Sequence, residues 1–223
     1  MARKATVVPY ASAIAHLSSV DADWARLIAQ VGPCGLQSHA EREPYEALIR
    51  AIAYQQLHGR AAEAITGRFL ALYPGVAFPA PESILATNES LLRGCGFSAA
   101  KVTTIRGIAE KTLEGVVPLR SDALLLTDEE LVARLVTLRG VGRWTVEMIL
   151  MFTLARPDVL PVDDFGVREG WRVLKSLDKQ PSPKELNNIG QAWSPYRSVA
   201  AWYLWQAANQ AKLVARAEKL KAG

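Results

Sequence analysis

Apolar side chains recur along this chain with the period of an α-helix almost everywhere, and that spacing constrains its fold more than any other feature. Behind Pro44, a residue suited to a first helical position, Tyr45, Leu48, Ile49 and Ile52 fall at i, i+3, i+4 and i+7. A second such face follows Gly59, with Ala62, Ile65 and Phe69. A third follows Ser98, a suitable N-cap, with Val102, Ile105, Ile108 and Ala109. Thr127-Asp-Glu-Glu130 reads as a capping box that opens a short helix carrying Leu131, Leu135 and Leu138 and stopped by Gly140. A further helix turns Thr145, Met148, Ile149 and Phe152 inward. No stretch shows the sustained period-2 alternation of a half-buried strand, and proline and glycine fall between the helical stretches. The expected class is all-α.

With 223 residues the chain can form one compact domain or two small ones sharing a core. Half of it is hydrophobic and 22% is charged, a balance that excludes intrinsic disorder and argues against a fibrous or membrane-spanning protein. Its N-terminal segment, Met1 to Val20, lacks the long apolar stretch of a secretion signal, and no membrane partner is expected. Two cysteines, Cys34 and Cys95, cannot build a disulfide framework or a four-thiolate cluster, and a reducing compartment is expected. The net charge of +4 permits a polyanionic partner.

Arg156-Pro-Asp-Val-Leu-Pro161 reads as a stiff, extended connector and the best candidate for a subdomain seam. A helix restarts near Asp164 with Val167, Arg168 and Trp171, and the Lys/Ala-rich stretch after Ala207 reads as a solvated helix end. The segment from Leu138 to Glu147 joins two helices through Gly140-Val-Gly142. Closely spaced glycines let a backbone turn sharply and approach a ligand, and the amides of the hairpin and of the next helix then form an anion site suited to a DNA phosphate.

Five segments together resemble the helix-hairpin-helix DNA glycosylases: the hairpin Leu138–Thr145, Leu160-Pro-Val-Asp-Asp-Phe165, Trp193-Ser-Pro-Tyr-Arg-Ser198 with Trp205, Gln55-Gln-Leu-His58 and Gly96-Phe-Ser-Ala-Ala-Lys101. Within that family the chain is most similar to the alkylation-repair branch, the 3-methyladenine DNA glycosylases II, in a short form without the N-terminal β-domain of larger members. The resemblance implies two helical subdomains flanking a DNA-binding cleft, residues 45–150 forming one and residues 1–44 with 151–223 the other. It implies a likeness in partner as well, double-stranded DNA containing alkylated bases, with the protein acting as a monomer. The expected location is the cytoplasm, on the nucleoid, in a bacterium, and the nucleus in a eukaryote.

By resemblance, an aspartate after the hairpin assists departure of the base. Asp164 lies 24 residues after Gly140, the offset expected in the alkylation-repair branch, whereas the 8-oxoguanine branch would select Asp163. One of the two can instead be the N-cap of the following helix, a role expected of Asp163. A carboxylate suits the chemistry, because N-alkylation makes the purine a cationic leaving group and the transition state oxocarbenium-like, so an anion beneath C1′ stabilises it. Recognition then falls to aromatic faces that stack on an electron-poor base, and the resemblance assigns Trp144, Phe165 and Trp205 to the pocket. Trp171, Trp202 and Tyr203 are expected in the core.

Bifunctional family members place a lysine where this chain has Trp144; an indole cannot form a Schiff base, so a monofunctional hydrolase is expected. In the loop Gln55–His58, Gln56 aligns best with the wedge that fills the hole left by a flipped base, Leu57 is the physical alternative, and His58 would read the minor groove. Gly140, Gly142, Arg143, Thr145 and Lys101 are expected to contact DNA. No cofactor is expected; by resemblance the carbonyls of Val136, Leu138 and Val141 hold a structural Na+ or K+. Two other readings stay open, a non-catalytic hairpin module that grips phosphates and a bifunctional glycosylase for oxidised bases. The first has no use for a carboxylate facing DNA, and the second stumbles on Trp144.

Overall fold

A computed structural model describes residues 6–7, 10–57 and 59–222, so His58 lies outside the described residues. In chain order the helices are α1 (Ala11–Val20), α2 (Ala22–Val31), α3 (Pro44–Tyr54), α4 (Gly59–Ala71), α5 (Pro81–Ala86), α6 (Glu89–Gly94) and α7 (Ala99–Leu113). They continue with α8 (Arg120–Ala123), α9 (Asp128–Leu135), α10 (Arg143–Phe152), α11 (Phe165–Leu174), α12 (Pro183–Ile189) and α13 (Arg197–Ala222). The extended pairing among the described residues is one two-residue antiparallel ladder, β1 (Thr6–Val7) with β2 (Gln37–Ser38), Thr6 lying opposite Ser38. The protein is all-α, and among the described residues no helix is long and apolar enough to cross a membrane.

The chain forms two compact units, Ala40–Leu154 and the combination of Met1–His39 with Ala155–Gly223. These bounds are wider for the central unit than the expected 45–150. Arg120 is the physical reason: its amide donates to Glu43 Oε2 (2.8 Å) and its guanidinium to the Thr153 carbonyl, which fastens both flanks of the unit to α8.

In the central unit the expected faces are buried. Tyr45, Leu48, Ile49 and Ile52 of α3 all point into the core behind Pro44 at N1. Phe69 of α4 meets Phe97 and Tyr73 edge-on at 5.7 and 5.5 Å. Ser98 caps α7 through the Lys101 amide, and Thr127 and Glu130 form the reciprocal capping box of α9. Two expectations need correction. Helix α9 ends at Leu135, before Leu138, because the chain must reverse: the Leu138 amide closes a turn on the Leu135 carbonyl and the Val141 amide closes another on Leu138 (3.1 Å each). Helix α10 buries a wider face than expected, with Val146, Leu150 and Met151 fully enclosed and Met148 and Phe152 only half-buried.

The second unit begins with α1 and α2, helices that precede the first one read from the sequence. Asp21 caps α2, accepting the amides of Asp23 and Trp24, and Lys175 at the end of α11 bridges Asp21 and Asp23 at 2.8 and 2.6 Å. Trp24, Trp171 and Trp193 form an aromatic core, with Trp193 5.3 Å from Trp24 and 5.2 Å from Trp171. Tyr203 is buried and donates to the Gly32 carbonyl, and Trp202 is half-buried against it, so these two and Trp171 belong to the core as expected. Helices α11 and α13 touch backbone to backbone: a Cβ at Gly170 would lie 2.0 Å from the Leu204 carbonyl oxygen. The end of α13 beyond Ala207 is exposed along most of its length.

Candidate functional site

Asp164 ends the connector and begins α11. Its Oδ1 accepts the Val167 amide at 2.8 Å, which makes it the N-cap, and accepts the Trp205 indole N–H at the same distance. The cap therefore falls on Asp164, in place of Asp163, which is exposed. The register explains it: the N-cap accepts from the amide three positions on, and Val167 is the residue α11 presents there. Gly166 makes room for this arrangement, since a Cβ on it would lie 2.8 Å from Trp205 Cδ1 and 3.1 Å from Asp164 Oδ1. Beside the carboxylate, Phe165 is 68% exposed at the first position of α11.

The Trp193–Ser198 segment holds the connector that delivers Asp164. Arg197 grips Asp158 with both arms of its guanidinium fork (2.8 and 2.9 Å), while Ser194 Oγ and the Arg197 amide donate to the same carboxylate. Burial alone would raise the Asp158 pKa, but the hydrogen bonds from Arg197 and Ser194 outweigh it and hold the carboxyl below the usual range. Ser198 Oγ donates to the Arg156 carbonyl and accepts the Val159 amide at 3.0 Å. This motif is thus a clasp, and its conspicuous polar residues face the connector.

The hairpin lies in the central unit. Gly140 has φ +77°, where a side chain is strained, and a Cβ there would press on Thr104 Oγ1 at 3.0 Å. Gly142 is different: its backbone is extended, and nothing lies within 4 Å of a Cβ placed on it. As N-cap of α10 it makes no side-chain cap hydrogen bond. Trp144 in that turn is 41% exposed, whereas the Thr145 side chain is buried at 3% exposure. The Thr145 side chain, expected at the DNA, faces the core instead.

Arg143 is already ion-paired. Its Nη1 and Nη2 reach both oxygens of Glu129, the former at 3.2 Å, and its Nε lies 3.1 Å from Glu147 Oε1. The hydrogen bond it donates to Glu129 is the main reason the guanidinium is held even more firmly protonated than usual. The expected phosphate contact thus starts from a side chain flanked by two carboxylates. Lys101 also departs from expectation: half-buried, its ammonium donates to the carbonyls of Ala53 (3.0 Å) and Gln55 (2.8 Å).

Gln56 and Leu57 stand exposed at the end of α3. Gln56 adopts φ +58°, a left-handed conformation that costs a non-glycine residue about 1–2 kcal/mol. Gln55, to which sequence reasoning assigns no role of its own in this loop, donates its side-chain amide to the Gly140 carbonyl at 3.1 Å. Among the described residues no group of three or more His, Cys, Asp and Glu side chains is placed to hold a metal ion.

Residues 49–195 match the HhH-GPD superfamily of base excision DNA repair proteins. The chain is 44% identical to DNA-3-methyladenine glycosylase 1 of Schizosaccharomyces pombe over 197 residues, covering 88% of this chain and 86% of that one. Its fold superposes on the S. pombe 3-methyladenine DNA glycosylase Mag1 in complex with abasic DNA with a TM-score of 0.82, at 44% identity, over 87% of this chain and 95% of the other. A DNA-3-methyladenine glycosidase from Bacillus halodurans superposes with a TM-score of 0.78 at 32% identity, covering 93% of each chain. The motifs, the all-α fold and these likenesses agree, and the chain belongs to the HhH-GPD superfamily of base excision DNA repair proteins.

Proposed function

We propose that the protein is a monofunctional DNA glycosylase that removes N-alkylated purines, such as 3-methyladenine and 7-methylguanine, from double-stranded DNA and so initiates base excision repair. The observation that carries this reading is the carboxylate of Asp164, oriented by the Val167 amide and the Trp205 indole at the start of α11. A module that merely grips phosphates gains nothing from a fixed anion.

In the reaction, the first-turn amides of α10 and the hairpin hold phosphate at a helix N-terminus, where the dipole favours an anion. The lesion leaves the stack, Gln56 or Leu57 fills the gap, and the electron-poor base stacks on an aromatic face, for which Trp144, Phe165 and Trp205 are the candidates. As the glycosidic bond lengthens, positive charge builds on the sugar; Asp164 stabilises it and orients a water for attack at C1′. The base leaves as a neutral alkylpurine, so no protein acid has to protonate it. Trp144 supplies no amine, and the reaction stops at the abasic site. The carbonyls of Val136, Leu138 and Val141, at the end of α9 and in the hairpin, are neutral oxygen donors of the kind a Na+ or K+ takes. The Leu138 carbonyl spends one lone pair on the Val141 amide and retains a second. A cation there would add positive charge beside the phosphate.

The test is a set of duplexes, each holding one defined lesion, incubated with the protein and then treated with alkali. Alkali-dependent scission at alkylated purines supports the reading; scission confined to oxidised bases, or none at all, overturns it.

A further inference from the structure

We propose that Lys101 and Gln55 are positioning residues that hold the loop 55–57 in a preset shape and fasten it to the hairpin, so that Gln56 stands ready to enter the duplex before DNA arrives. The proposal rests on the glycosylase reading above.

The last carbonyls of a helix have no partner within it. Here Lys101 reaches across from α7 and takes two of them at the end of α3, those of Ala53 and Gln55. A cation is the appropriate partner for that negative helix end. Two of the three ammonium donors are thereby spent inside the protein, and burial pushes the Lys101 pKa down. A lysine placed for phosphate would project into solvent; this one is folded back beneath a loop.

Directly after the stapled Gln55 carbonyl the chain turns left-handed at Gln56, and the Leu57 amide closes the turn on the Tyr54 carbonyl at 3.2 Å. A strained conformation of this kind persists where surrounding contacts over-determine it. The Gln55 side chain then ties the same loop to the Gly140 carbonyl. One turn along α7 from Lys101, Thr104 packs under Gly140 so closely that a Cβ there would meet its Oγ1 at 3.0 Å. A single helix therefore underlies both the candidate wedge and the candidate phosphate grip, with Gln55 linking the two. A wedge fixed in advance loses less conformational freedom when it inserts, which matters most where the base is still paired and stacked.

The test compares wild type with Lys101→Met, which keeps the stem and removes the donors, and with Lys101→Arg, which restores them. Single-turnover release of 7-methylguanine is measured from a fully paired duplex and from an unpaired bubble. Displacing a positioned group by about an ångström costs up to about a hundredfold, so Lys101→Met should lose about tenfold or more on the paired duplex. It should lose about twofold at most in the bubble, where no stack has to be opened, and Lys101→Arg should recover the paired rate in part. The salt dependence of binding to an abasic-site duplex should stay at the wild-type slope. A log-log slope shallower by about 0.9, with equal losses on both substrates, identifies Lys101 as a phosphate contact and overturns the proposal. An unchanged paired rate overturns it as well. If Lys101→Met fails to fold in a thermal melt, Gln55→Leu takes its place, removing only the link to Gly140. The same selective loss on paired substrate supports the proposal, and equal rates on both sink it. Wild-type protein that releases no base from either substrate would instead remove the glycosylase reading itself.

Discussion

Trp205 and Asp164, on helices far apart in sequence, meet through a 2.8 Å bond from the indole N–H to the carboxylate Oδ1, the same oxygen that caps α11 through the Val167 amide. One side chain thus answers to two masters: helix α11 fixes its backbone and the aromatic ring of α13 fixes its rotamer. That double constraint suits a group that must hold an anion in place while charge develops on the sugar.

Asp164→Asn separates the two duties, because asparagine caps a helix about as well as aspartate. The variant should fold and bind an abasic-site duplex, while single-turnover base release falls by at least about a hundredfold, the cost of removing a preorganised charge. Asp163→Asn changes an exposed side chain that is not the cap, so its stability should stay within about 0.5 kcal/mol of wild type. A dead Asp163→Asn enzyme beside an active Asp164→Asn one would shift the register to that of the 8-oxoguanine branch.

The glycines of α11 should separate packing from positioning. A methyl at Gly170 would run into the Leu204 backbone, which cannot yield as a side chain can, so Gly170→Ala should be among the most destabilising single changes, about 3 kcal/mol or more. At Gly166 the methyl meets the Trp205 ring and the Asp164 carboxylate. Gly166→Ala should cost less in thermal stability yet slow base release markedly. Equal effects on melting temperature and on rate from both variants would contradict this division.

Where the sequence was legible, the signal was local. The spacing of Tyr45, Leu48, Ile49 and Ile52 announces α3, and Ser98, Thr127 and Glu130 announce caps, because each depends on neighbours within one or two turns. Helix α1, Ala11–Val20, carries no such signal, because alanine and serine dilute its apolar face. At the site, resemblance pointed to the aspartate pair, but which one caps α11 depends on where the first helical amide falls, and a one-residue ambiguity there inverts the answer. The partners of Lys101 are main-chain carbonyls, which no residue type advertises. The pairing of Arg143 with Glu129 crosses the hairpin and needed the turn geometry to become visible. The close approaches at Gly166 and Gly170 were not read from the sequence, although two glycines four apart on one helix are a sign that could have found them.

The Arg143 pairing has a consequence for DNA affinity. If Arg143 meets a phosphate, it must exchange Glu129 for it, and the exchange costs part of the binding energy. Glu129 is well exposed, so Glu129→Gln should leave the fold intact while tightening abasic-site binding severalfold at low salt and steepening the log-log salt slope by up to about 0.9. Unchanged affinity and slope would show that Arg143 stays with its carboxylates when DNA binds.

The clasp on the connector predicts acid sensitivity. Asp158 has its pKa depressed in the fold, so its contribution to stability is present above the ordinary aspartate value of about 3.9 and is lost as pH falls through the lower folded value. Asp158→Asn should cost about 1–2 kcal/mol near neutral pH, allowing for solvent screening, or roughly 2–8 °C in melting temperature. Melting curves of the two proteins should begin to converge as pH drops below about 3.9, where Asp158 of the unfolded chain takes up its proton, and should meet once pH has passed the lower folded value. Curves that stay parallel down to the acid limit would remove the clasp from the pH dependence.

Trp144 decides what happens after the base has gone. A lyase needs an amine within reach of C1′ to form a Schiff base and drive β-elimination, and the first turn of α10 here presents an indole that is 41% exposed. Strand scission should therefore require added alkali, and borohydride should trap no covalent protein–DNA adduct. The same ring should contribute to recognition, since a cationic purine stacked on tryptophan gains about 0.5–2 kcal/mol. Trp144→Ala should accordingly slow release of 7-methylguanine by about two- to thirtyfold while leaving alkali dependence unchanged. Release of a neutral lesion such as hypoxanthine should suffer less, because it lacks the charge the ring attracts. A trapped adduct in wild type would restore the bifunctional reading and require an amine elsewhere in the site; equal losses on cationic and neutral lesions would reduce Trp144 to a packing role.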